Sequence, residues 1–415
     1  MSTLKKLLGM DWLMLAAMLV LIGCGTVAIW SAGMARETVF HGMWKNHLAT
    51  ACLGLVCYLA LAVVDYRIVV RLFAPVAYAL SLLMLVVVLF AGDTVYGGRR
   101  WLWFFQPSEI AKVCSIAFLA GAADWAASAV RLRRGKLAAD EFDEEEDAKE
   151  RAYAHGPVTF FFASLAAAIP AALILLEPDL GTTLAFVPAV AAMLIALSIW
   201  RKGLFTMLAI VAVASSILLG AVYEAEKPGQ SEETRERILA YVPLKPHQVK
   251  RVKTFLFPES DPMGAGYNLR QSRITIASGG ISGKGLGKAQ MNRLKYLPAS
   301  VSMNDFIFCV WAEETGYIGS LALVSLFALL CMCGVKIAFS AADPMGRALA
   351  LGTTTLIFSH AYINMAMCVG LVPITGLPLP FISSGRTFLV AVMAALGLAQ
   401  SVHIHNKEEK ENTTR

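Results

Sequence analysis

Apolar residues dominate long stretches of the chain, interrupted at short intervals by small polar and charged clusters. A helix needs about 20 mostly apolar residues to cross a bilayer. Stretches of that kind occur near 11–32, 46–64, 70–91, 107–127, 157–176, 179–199, 203–223, 303–335, 346–370 and 381–402. The pattern predicts an all-α membrane protein with about ten transmembrane helices, organised over 1–415 as a single polytopic domain. An even number of spans puts both termini on one side. Two longer polar segments stand out: an acidic loop at 127–156 and a loop of unusual length at 224–302.

Composition fits this reading. The 415 residues are 57% hydrophobic and 16% charged, with a mean hydropathy of +0.61. A soluble chain carries nearer a quarter charged residues. The sequence also reads as lacking a cleavable leader, because Asp11 to Ser31 is long enough to span and no small-residue cleavage site accompanies it. The eight cysteines all fall in apolar segments, so no disulfide framework is expected. Cys331 and Cys333 read as buried thiols, since side chains two apart on a helix diverge and no histidine joins them.

The distribution of the +6 charge sets the expected orientation. Lys5, Lys6, Arg67, Arg71, the basic run at 131–136, Arg201, Lys202, Lys336 and Arg347 gather in one set of loops, while the opposite short loops carry little beyond Arg36 and Lys45. Positive loops stay inside, so the termini and the acidic 127–156 loop are expected in the cytoplasm, and 224–302 in the periplasm. The acidic run reads as a solvated, mobile segment, with a cytoplasmic partner as the alternative. No basic surface interleaved with aromatics is present, which argues against nucleic acid as a partner.

From Arg235 to Ser302 the long loop holds twelve Lys or Arg against three acids. Such a surface suits an anionic ligand arriving in the membrane, such as a lipid pyrophosphate. Within it "SGGISGKGLGK" interleaves glycines with Lys284 and Lys288. Glycine-flanked amides and lysines can cradle a phosphate, and a plain flexible turn explains the glycines equally well.

Ionisable groups beside spans are costly and therefore candidates for function. "QPSEIAK" sets Glu109 and Lys112 three apart on one helix face, as a local ion pair or as part of a cavity. "LEPDLGTT" brings Glu177 and Asp179 to the outer surface, where capping of the next helix is the simpler role. "NDFIFCVWAEETG" opens a span with Asp305 and places Glu313 and Glu314 about three turns deeper. "GLVPITGLPLPFISSG" breaks the start of the last span, which implies a protein-lined or wet cavity.

Together with "GGRRWLWFFQPSEIAK" and "RVKTFLFPESDPMGAGYNLRQSRITIASGGISGKG", these segments resemble the SEDS family (shape, elongation, division and sporulation proteins) in order and spacing over nearly the whole chain. The stretch "DPMGAGYNLRQS" is closer to the RodA pattern than to FtsW. The resemblance implies a bacterial inner-membrane glycosyltransferase that polymerises lipid II for cell elongation and rod shape, releasing undecaprenyl pyrophosphate. It also implies a class B penicillin-binding protein as the transpeptidase partner. Asp305 would be the catalytic base. Arg251, Arg270, Gln271, Lys284, Lys288, Glu109, Lys112, Glu177 and Ser383 would bind substrate, and a divalent cation, Mg or Mn, is an expected aid. Two departures from the family pattern are Met303-Asn304 before Asp305, and Gly385-Arg386-Thr387-Phe388 after "FISS". A lipid II flippase and a non-catalytic scaffold for the transpeptidase are the rival readings.

Overall fold

A computed structural model describes residues 3–34, 40–95, 98–103, 105–122, 124–125, 156–177, 179–227, 229–242, 246–290, 294, 296 and 302–413. The acidic run of the 127–156 loop lies outside these residues. The helices are α1 (Thr3–Leu8), α2 (Trp12–Met34), α3 (Met43–Val63), α4 (Tyr66–Ala91), α5 (Pro107–Ala120), α6 (Pro157–Leu176), α7 (Leu180–Ala196) and α8 (Arg201–Glu226). Three shorter helices follow, α9 (Glu232–Leu239), α10 (Pro246–Leu256) and α11 (Ala265–Ser278), before the long α12 (Ile307–Ser340), α13 (Pro344–Val369) and α14 (Arg386–Thr413). A hairpin of β1 (Asp93–Val95) and β2 (Gly98–Trp101) joins α4 to α5.

Local chemistry starts and stops these elements where the sequence changes character. Proline stands in the first turn of α5, α6 and α13, where its missing N–H costs nothing. Asp179 caps α7 by accepting from the Thr182 amide at 3.1 Å, and Asp343 caps α13 by accepting from the Gly346 amide at 2.7 Å. Gly370 ends α13 in the left-handed conformation at φ 79°.

Each of the ten expected spans overlaps a helix among the described residues. Seven of these are long and apolar enough to cross a membrane: α2, α3, α4, α6, α8, α12 and the Arg386–Lys407 part of α14. Of the others, α7 is apolar but short, and α13 is long but carries Arg347, His360 and Asn364. The reason is position. Helix α13 packs against α7, α12 and α14 and is buried along most of its length, so lipid does not dictate its surface. Close helix approach uses small residues, as at Gly397, where an added Cβ would lie 2.5 Å from the Tyr58 carbonyl oxygen. Helix α8 is the opposite case: Phe205, Ile210 and Ile217 are exposed, as a lipid-facing surface requires.

One end of the bundle gathers both chain ends. There Lys6 Nζ meets His405 Nε2 at 2.9 Å, and Arg67 pairs with Asp343 at 2.9 Å. The opposite end carries the hairpin, α9 to α11 and the broken segment before α14. The described cysteines are all free thiols.

The glycine-rich segment does a structural job. Helix α12 is interrupted at Gly316, whose φ of 67° and ψ of −162° no helix contains. Residues 279–290 wrap this break. Amides of Lys284 and Gly285 donate to the carbonyls of Glu313 and Glu314 at 3.0 and 2.9 Å, and Tyr317 and Ile318 donate back to Gly280 and Ile281. The fit excludes side chains, since a Cβ on Gly283 would lie 2.1 Å from the Glu314 carbonyl oxygen. The buried acids are held by the same wrap. Glu313 accepts from Lys284 Nζ at 2.6 Å and the Gln290 amide at 3.0 Å, while Glu314 accepts from Ser31 and the Gly287 amide. Buried carboxylates supplied in this way are tolerable.

Candidate functional site

Asp305 lies two residues before α12, at the end of the bundle away from the termini, and is half-buried. Its backbone is held by Asn364 of α13, whose Nδ2 donates to the Asp305 carbonyl at 2.8 Å and to the Leu377 carbonyl at 2.7 Å. One amide thus ties the start of α12 to the segment 370–385. That segment also supplies Gly376, in the left-handed region at φ 74°, where a Cβ would come within 3.4 Å of Asp305 Oδ2. The bare backbone leaves room beside the carboxylate.

Around Asp305 stand two guanidiniums and a second carboxylate. Arg251 of α10 reaches over the 370–385 segment and donates to the Thr375 carbonyl at 3.1 Å. Arg100 of β2 donates to the Glu177 backbone carbonyl at 3.1 Å and lies 4.0 Å from Asp179. Gln106 Nε2 donates to Asp179 at 3.2 Å, so Asp179 both caps α7 and faces the site. Burial pushes the Asp305 carboxyl up to about 6; Arg251 opposes the rise, Asp179 adds to it and Arg100 opposes it. The carboxylate is therefore charged at neutral pH and more basic than an exposed aspartate.

Beneath this rim lies a sealed polar layer. Lys112 and Glu109, 1% and 3% exposed, pair at 2.8 Å, and Lys112 Nζ is 2.8 Å from His360 Nε2. The His360 ring stacks on Phe388 at 4.5 Å between centroids. Asn364 follows His360 by one turn of α13, which places this layer directly under the clip on Asp305.

The departures from the family pattern pack into the same region. Ser383 donates to the Asn304 carbonyl at 2.6 Å, Ser384 bonds the Asn304 side chain, and Thr387 accepts from the Gln106 amide at 3.3 Å. Ser383 is buried, so its hydroxyl fixes the turn that holds Asp305.

Of the expected site residues, Asp305, Arg251, Glu109, Lys112, Glu177 and Ser383 converge here. The other four have their own surroundings. Arg270 pairs with Glu259 at 2.9 Å on an exposed surface, Gln271 lies half-buried on α11, Lys284 is engaged by Glu313, and Lys288 is exposed. The amides of Lys284 and Gly285 are taken up by carbonyls of α12 and that of Gly287 by the Glu314 carboxylate, which leaves these three no part in cradling a phosphate. Arg100, Gln106, His360 and Asn364 were not singled out from the sequence. Arg100 and Gln106 belong to the "GGRRWLWFFQPSEIAK" segment, so a signal was present; His360 and Asn364 are recognisable only once α13 is seen to be buried.

Among the described residues no group of three or more His, Cys, Asp or Glu could hold a metal ion. The groups that act on Asp305 include two guanidiniums, which cannot ligate a cation, so this donor set does not fit a divalent ion that takes six or more oxygens.

A family model described as a cell cycle protein (FtsW, RodA, SpoVE) matches residues 11–408. The chain is 32% identical over 406 residues to the peptidoglycan glycosyltransferase MrdB of Escherichia coli (strain K12), across 96% of this chain and 94% of that protein. It is 30% identical over 401 residues to a probable peptidoglycan glycosyltransferase FtsW of Trichlorobacter lovleyi, across 94% and 92%. Its fold is similar to that of the rod shape determining protein RodA of Thermus thermophilus, with a TM-score of 0.59 and 22% identity over 95% of this chain and 96% of that one. A chain from a peptidoglycan synthase complex, described as coordinating polymerization and crosslinking, gives a TM-score of 0.65 at 24% identity over 95% and 97%.

Proposed function

This chain belongs to the FtsW, RodA and SpoVE family of cell cycle proteins, and from that premise we propose that Asp305 is the general base of its glycosyl transfer. The protein is a RodA-like peptidoglycan glycosyltransferase of the bacterial membrane, crossing the bilayer several times. The observation that carries the assignment of roles is Asp305 itself: a half-buried carboxylate, clipped in place by Asn364, with Arg251 and Arg100 in electrostatic reach.

The substrate is lipid II, and the acceptor's sugar hydroxyl attacks the anomeric carbon of a second, lipid-linked unit. An alcohol is a weak nucleophile at neutral pH, so a positioned base contributes about 10²–10⁴-fold. Asp305 takes the hydroxyl proton as the new glycosidic bond forms and the bond to the diphosphate breaks. The diphosphate leaves as a stable anion and needs no proton. Arg251 and Arg100 compensate its charge, in a setting where their positions are fixed beforehand by the Thr375 and Glu177 carbonyls. A single in-line displacement inverts the sugar, so no second carboxylate is needed as a nucleophile. No step runs through a divalent cation.

The site faces the periplasm and both termini face the cytoplasm, as the loop charges direct. A class B penicillin-binding protein crosslinks the strands made here. The sealed Glu109, Lys112 and His360 layer favours polymerisation over transport, because a flippase needs polar groups that open toward the other side. The deciding experiment incubates the purified protein with lipid II, with and without its partner. Glycan strands support the assignment; lipid II that crosses vesicles without forming a product bond overturns it.

A further inference from the structure

Glu177 ends α6 with its side chain fully sealed, and among the described residues neither carboxyl oxygen has a hydrogen-bond partner. A charged carboxylate left like this is costly, and an unsatisfied group inside a site asks for a reason. The charged groups within reach of it are Asp179, at the start of α7, and Arg100, in β2. Glu109, on the neighbouring α5, is occupied by Lys112.

A charge count around the rim gives the reason. Asp305, Asp179 and Glu177 face Arg100 and Arg251. With Glu177 neutral the remaining two carboxylates balance the two guanidiniums. With Glu177 charged the rim turns net negative, and Arg100 is drawn toward it in the very place where a diphosphate has to settle.

We propose that Glu177 is a positioning residue that works as a neutral carboxylic acid, keeping Arg100 directed at Asp179 and Asp305 so that the donor's diphosphate can bind. The inference rests on the glycosyl-transfer reading above and adds to it the protonation state that donor binding requires. Burial, followed by the charge of Asp179, pushes this carboxyl up to about 8, with Arg100 opposing. Because that value lies above the ordinary carboxylate range, the proton is held at neutral pH and lost as pH rises through it.

The test has two readouts on the full-length protein. The first is steady-state polymerisation of lipid II between pH 7 and 9. The KM of the wild-type protein should rise about tenfold per pH unit above the transition while kcat changes little, because only the neutral form binds donor. In Glu177→Gln, a permanently neutral isostere, KM should stay level over the same range. The second readout is equilibrium binding of undecaprenyl pyrophosphate, which should weaken above pH 8 in the wild type and not in the Gln variant. Binding that follows this pattern supports the role of Glu177 even if no polymer forms, so a failure of the glycosyl-transfer reading is told apart. A wild-type KM and affinity level to pH 9, or an alkaline loss that persists in Glu177→Gln, would overturn the proposal. Should Glu177→Gln fail to fold, Glu177→Met, which is equally unable to ionise, takes its place in both readouts.

Discussion

Replacing Asn364 by Leu removes one side-chain amide and keeps the branched shape of the side chain, which makes it a sharp probe of how Asp305 is held. The amide's Nδ2 serves two carbonyls at once, Asp305 at 2.8 Å and Leu377 at 2.7 Å. Asn364 is fully buried, so water does not replace what is lost. Each orphaned carbonyl costs about 1–3 kcal/mol, and the structure relieves this by letting the start of α12 and the 370–385 segment part. A shift of about 1 Å in a catalytic group costs up to about 10²-fold. The expected outcome is a kcat for lipid II polymerisation lowered about 10–100-fold, with KM within about threefold, because Arg251 and Arg100 are not touched. A double-variant cycle isolates the cause: Asn364→Leu added to Asp305→Asn should produce little further loss. Near-normal kcat in the single variant, or full additivity in the double, would refute the argument that Asn364 acts through Asp305.

Three further outcomes follow from the geometry. The value of kcat/KM should fall tenfold per pH unit below about 6, because Asp305, with its carboxyl raised to about 6, loses activity as it gains a proton; a profile level down to pH 5 would contradict this. Lys284→Ala should act on stability rather than on KM. It leaves Glu313, fully buried, without its ammonium, at a cost of about 3–5 kcal/mol that a lowered unfolding temperature in detergent would register. Gly283→Ala should likewise destabilise the protein, since its Cβ would lie 2.1 Å from the Glu314 carbonyl oxygen and the residue sits at φ 79°; an unchanged unfolding temperature would argue against the wrapped break in α12.

Much of this architecture was legible in the chain because lipid imposes a simple rule on surfaces: long apolar runs mark α2, α3, α4, α6, α8 and α12 directly. The rule weakens where protein replaces lipid. Helix α13 is sheathed by its neighbours, so His360 and Asn364 could be polar, and hydropathy alone gives no hint that both support Asp305. Span eight was expected over 303–335, whereas α12 runs from Ile307 to Ser340, because the segment before it turns to present Asp305. The glycine loop shows a different limit. Glycines that admit a phosphate and glycines that admit another backbone look alike in sequence, and only the fold reveals that the partner is the interrupted α12. Charge density likewise left the individual residues open. The loop's many cations suggested a broad anion-binding surface, and of those singled out Arg251 acts on Asp305 electrostatically, joined by Arg100 from a short hairpin. Asp179 needed no choice between its two readings, since one oxygen caps α7 and the other faces Gln106 and Arg100.

The most direct test is turnover of lipid II by purified Asp305→Asn protein that still inserts into the membrane and still binds its partner. The amide keeps the shape of the carboxyl but cannot take the hydroxyl proton, so glycan strands should disappear while undecaprenyl pyrophosphate binding persists. Strands formed by that variant at the wild-type rate would contradict a carboxylate base at this position.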